Sequence, residues 1–64
     1  MSIDLSQLSS IAKTLEELTQ RVARMGDDAH TRHDDGTATE LFAAERSMSG
    51  ATRRITRLID SLRR

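Results

Sequence analysis

The large apolar residues Leu8, Ile11, Leu15, Leu18, Val22 and Met25 recur at alternating spacings of three and four positions. That rhythm places them on one stripe of a helix. A second stripe, Leu41, Ala44, Met48, Ala51, Ile55, Leu58 and Leu62, repeats it. The pattern predicts an all-α chain, a two-helix antiparallel hairpin with helices over about residues 4–25 and 38–63. A polar connection at about 26–36 joins them within a single domain spanning 1–64.

Heptad letters make the stripes comparable. Leu8, Leu15 and Val22 fall at a, and Ile11, Leu18 and Met25 at d, while Leu5, Ala12 and Thr19 at e widen the stripe on one flank. In the second helix Leu41, Met48, Ile55 and Leu62 fall at a, with Ala44, Ala51 and Leu58 at d. The phase survives passage through Gly50, so one continuous helix is expected although glycine costs about 1 kcal/mol there relative to alanine. The small residues Ala44, Ser47, Gly50 and Ala51 predict close approach of a neighbouring helix, with Leu15 or Leu18 filling the space.

Two helices can touch along only one seam, and stripes this wide leave Leu5, Leu18, Ile55 and Ile59 wet in a lone hairpin. Pairing two hairpins into a four-helix bundle shelters them. A homodimer is therefore the first expectation, with Leu8, Ile11, Leu15, Leu18, Val22, Met25, Leu41, Met48, Ile55, Leu58 and Leu62 forming its core and interface. A different helical protein would meet the same need.

The helix ends carry local signals. Asp4 as N-cap with Gln7 three residues on forms an Asp version of the capping box, and Ile3 and Leu8 stand where a hydrophobic staple belongs. Gly26 suits the left-handed position that ends many helices. Thr37 with Glu40 reads as the capping box of the second helix. Lys13–Glu17, Glu17–Arg21 and Asp60–Arg64 stand at the i,i+4 spacing of helix-surface ion pairs.

Composition sharpens the need for a partner. A chain of 64 residues belongs to the size class that buries only about 60% of its unfolded surface. Such domains lean on disulfides, a metal or oligomerisation, and cysteine is absent. Residues 1–37 hold seven acidic against four basic side chains, net −3, and residues 38–64 hold six basic against three acidic, net +3. The halves should attract each other, within one chain or between two. The longest apolar run, Leu41–Ala44, is far short of a membrane span, and no basic-then-apolar leader opens the sequence. The expected setting is the bacterial cytoplasm, with no membrane partner.

Three features could carry chemistry. His30 and His33 stand one turn apart among Asp27, Asp28, Asp34 and Asp35, and imidazole with carboxylate can ligate zinc, nickel or copper. The metalloprotease spacing is absent, and aligning Gly36 with an EF-hand glycine puts Thr31 first and Phe42 last, where carboxylates belong. No metal and no cofactor are therefore expected, and a metal-binding or pH-responsive loop is only a second alternative. Arg46, Arg53, Arg57 and Arg64 form a stripe on the outer face of the second helix, spaced to follow phosphates. Phe42, the lone aromatic, packs under the connection or anchors a partner.

Catalysis finds no support: Ser and Thr are scattered, no glycine-rich phosphate loop exists, and a hairpin this small encloses no substrate. The sequence therefore predicts a non-enzymatic interaction or regulatory module acting as a homo-oligomer, with Phe42 and the four arginines as candidate partner-binding residues. The alternative is a nucleic-acid-binding hairpin dimer. Its architecture is analogous to that of the plasmid RNA-binding protein Rop, with no shared motif.

Overall fold

Asp4 starts the first helix by accepting a hydrogen bond from the Gln7 backbone N–H at 3.0 Å, which satisfies one of the free donors at a helix start. The computed structural model describes residues 3–64. These form α1 (Leu5–Thr31) and α2 (Asp35–Leu62), antiparallel helices in a hairpin measuring 48 × 16 × 14 Å. The all-α hairpin read from the stripes is the observed architecture. Among the described residues no helix is long and apolar enough to cross a membrane.

The connection is far shorter than the sequence predicts. α1 does not stop at Gly26; it continues to Thr31, leaving only Arg32, His33 and Asp34 between the helices. The left-handed residue is His33, with φ 64°. Its N–H donates to His30 O at 3.0 Å and that of Asp34 to Ala29 O at 2.9 Å, the bond pair of a Schellman ending. Asp34 also starts α2, because its Oδ1 accepts from the Thr37 N–H at 3.3 Å. The Thr37–Glu40 capping box is thus not formed, and Thr37 lies inside the first turn.

Packing explains both shifts. Ala29 and Ala38 are buried at the turn end of the seam, so extending both helices gains contacts that polarity patterning does not show. Gly26 is buried in mid-helix because Phe42 occupies the place of its missing side chain: an added Cβ would lie 2.7 Å from Phe42 Cε1.

The seam also runs along a different row. The most buried residues of α1 are Ala12, Thr19, Gly26 and Ala29, and those of α2 are Ala38 and Ile59. Apart from Ala29, which is at a, all of them stand at e in the lettering above. Thr19 is tolerated there because its hydroxyl donates to Leu15 O at 2.6 Å, leaving no unpaired polar group. The a residues Leu8, Leu15, Val22, Leu41, Met48 and Ile55 are half-buried beside the seam. Ile59 is only 6% exposed, correcting the expectation that a lone hairpin leaves it wet. Leu5 and Ile55 are half-buried, and Leu18 stays exposed. Close approach of α1 at Gly50 is not seen: only Arg53 lies within 4 Å of a Cβ placed there. α2 nevertheless runs unbroken through Gly50.

Candidate interaction surface

With both helices turned so that e faces e, antiparallel geometry sends the two d rows to the same side of the hairpin. In each wheel d stands about 100° from e, and reversing chain direction mirrors the second wheel onto the first. That side is apolar and uncovered. Ile11, Leu18 and Met25 from α1 and Leu58 and Leu62 from α2 are all between 41% and 60% exposed. Gln7, Ser10, Ile11, Thr14, Leu15 and Leu18 line a shallow depression on it. Ile3, exposed at its edge, lines another with Leu8 and Ile11. Of the predicted core set, then, the a residues other than Leu62 flank the intrachain seam, and the d residues share one open face with Leu62 at its end.

The molecule's total surface measures the shortfall. It exposes 5098 Å², whereas a compact monomer of 7.2 kDa exposes about 4,100 Å² by the usual scaling with mass. The difference, about 1,000 Å², is close to the roughly 800 Å² that each partner contributes to a specific interface. No side chain is fully buried among the described residues. The seam is built from small residues and one isoleucine, which is a thin core.

The opposite side is polar. Ala12, Lys13, Glu16 and Gln20 meet Thr52, Thr56 and Arg63 along one groove, and Glu16, Thr19 and Gln20 meet Glu45, Ser49 and Arg53 along the next. Arg46 and Arg53 border a depression with Phe42, Glu45 and Ser49. Phe42 is half-buried against Gly26, so it serves the seam as well as bordering that depression. Arg46, Arg53, Arg57 and Arg64 are exposed.

Among the described residues one Arg–carboxylate pair forms, Arg32–Asp28 at 3.1 Å, and His30 Nδ1 stands 3.5 Å from Asp35 Oδ1. The four outer arginines close none, and neither do Lys13–Glu17, Glu17–Arg21 or Asp60–Arg64. Among the described residues no ion pair joins the acidic and basic halves; the one cross-helix contact of this kind, His30–Asp35, lies beside the turn and within residues 1–37. His30 and His33 do not converge with a third ligand: no group of three or more His, Cys, Asp or Glu side chains among the described residues is placed to hold a metal ion.

Ala29 and Ala38 are structurally decisive residues that pattern reading passed over, and Gly26 and Ile59 are two that it placed at a helix end and in solvent. Their signal was present in the sequence, since Ala12, Thr19 and Gly26 continue one e row and Ala38, Thr52 and Ile59 another. Comparison with known proteins finds no matching family model, curated protein or solved structure.

Proposed function

We propose that this chain is a non-enzymatic helical interaction module that works as a self-associated hairpin, in a cytoplasmic setting. The observation carrying this reading is the uncovered face: four large apolar d residues, Ile11, Leu18, Met25 and Leu58, with Leu62 at its end, on one side of a molecule whose intrachain seam buries one large side chain, Ile59. Contiguous apolar surface of this kind marks association. A second copy supplies a face of identical size and character, as a two-fold dimer requires.

Sedimentation tests it. The wild-type chain is expected to be dimeric at tens of micromolar, and Leu18→Glu or Leu58→Glu to shift it to monomer, while Lys13→Glu on the polar side leaves the dimer intact. A stable, well-folded wild-type monomer at high micromolar concentration overturns the reading.

A second reading is favoured by the arginines. Arg46, Arg53, Arg57 and Arg64 are exposed and form no ion pair among the described residues, and guanidinium groups not engaged in internal pairs are available to phosphates. For nucleic-acid binding, affinity must fall steeply with salt and vanish in Arg53→Glu/Arg57→Glu without loss of folding. Salt-insensitive or absent binding removes this reading.

A further inference from the structure

Resting on the self-association just proposed, we infer that the two copies stack antiparallel, α2 upon the partner's α2, with Arg54 of each facing the partner's Glu40. Face-to-face two-fold stacking of a hairpin allows two orientations. An axis along the helices gives a parallel dimer and sets α2 over the partner's α1. An axis across them gives an antiparallel dimer and sets each helix over its own counterpart.

The g row borders the d face and decides between them. On α1 it holds Gln7, Thr14, Arg21 and Asp28; on α2 it holds Glu40, Ser47, Arg54 and Ser61. Levels follow from distance to the turn, because Leu18 is as far from the end of α1 as Met48 is from the start of α2. In the parallel dimer Glu40 comes level with the partner's Asp28, within about 3 Å along the axis at 1.5 Å per residue. Like charges then meet at both related sites, while Arg54 and Arg21 face the partner's Thr14 and Ser47. In the antiparallel dimer, centred at the level of Leu18 and Met48, Arg54 and the partner's Glu40 are level within about 3 Å. This happens twice, and no like pair opposes it: Arg21 faces the partner's Thr14 and Asp28 its Gln7.

Two attractive rim pairs replace two repulsive ones, and charge at an interface rim sets register and orientation more than affinity. The same stacking brings Ile11 opposite the partner's Met25, Leu18 opposite Leu18, and Ala44 opposite the partner's Ala51. It also gathers Arg57 and Arg64 of both copies on one long side.

Because the chain has no cysteine, single-cysteine variants report orientation directly. Ser47→Cys is near the crossing point of the antiparallel dimer and should link to its own copy with a short bismaleimide; a mixture of Gln7→Cys and Ser61→Cys should not link. Each variant is first sedimented. A dimer that links through Ser47→Cys supports the inference. A dimer in which Gln7→Cys joins Ser61→Cys, or in which neither links, overturns the orientation and leaves self-association standing. A wild-type monomer removes both.

Discussion

Phe42 lies against the backbone of Gly26 so closely that a Cβ on Gly26 would come 2.7 Å from Cε1 and 2.9 Å from Cδ1. This contact carries α1 past the point where its apolar stripe ends. Gly26→Ala gains about 1 kcal/mol of helix propensity, but overpacking against a ring held in the seam costs about 1–3 kcal/mol. A net loss of about 1 kcal/mol is expected in urea unfolding, and it should shrink when Phe42→Ala is combined with it. Gly50→Ala meets only the end of Arg53 at 3.8 Å, so the propensity gain of about 1 kcal/mol should appear unopposed.

His33 holds a left-handed conformation, φ 64°, that costs an ordinary residue about 1–2 kcal/mol. His33→Gly should raise stability by about 0.5–1 kcal/mol once the extra freedom of glycine in the unfolded chain is counted. His33→Val should lower it, because a β-branched side chain fits that region worst. Thermal melting of the two variants at equal concentration checks the opposite signs.

Asp34 rather than Thr37 caps α2. Asp34→Ala removes the acceptor for the Thr37 N–H and should cost about 1 kcal/mol, a typical N-cap loss. Thr37→Ala should change stability by less than about 0.5 kcal/mol, the usual range for surface positions away from such features. The reverse order in chemical unfolding would restore the Thr37–Glu40 box as the true helix start.

Leu58 and Ile59 are sequence neighbours with opposite duties, 48% and 6% exposed. Ile59→Ala opens the intrachain seam and should cost about 2–3 kcal/mol of folding stability, within the range for large-to-small core changes. Leu58→Ala should leave the helix content unchanged and raise the dimer dissociation constant about tenfold, equivalent to about 1.4 kcal/mol of interface. Circular dichroism paired with sedimentation equilibrium separates the two effects.

The helical period, the Asp4 start and the excess width of the stripes were legible in the residues, because each is a local property of spacing or of one side chain bonding its own backbone. The turn was not. Gly26 and Gly36 carry the ordinary marks of helix ends, yet both lie within helices, and a histidine takes the left-handed place. The misreading has one cause: Ala29, Ala38 and Gly26 look featureless alone and acquire meaning only when another helix comes to within contact distance.

By itself the amino-acid sequence determined that two amphipathic helices form and that their apolar faces exceed one seam, since a 3.6-residue period and the count of large side chains need no partner to be read. Which flank of each stripe faces inward was decided by tertiary structure. In α1 the small e residues Ala12, Thr19 and Gly26 let the backbones approach where the bulky d residues Ile11, Leu18 and Met25 would not, and α2 meets them with Ala38 and Ile59 of its own e row. Close packing selects the row that fits, and that choice depends on both helices at once.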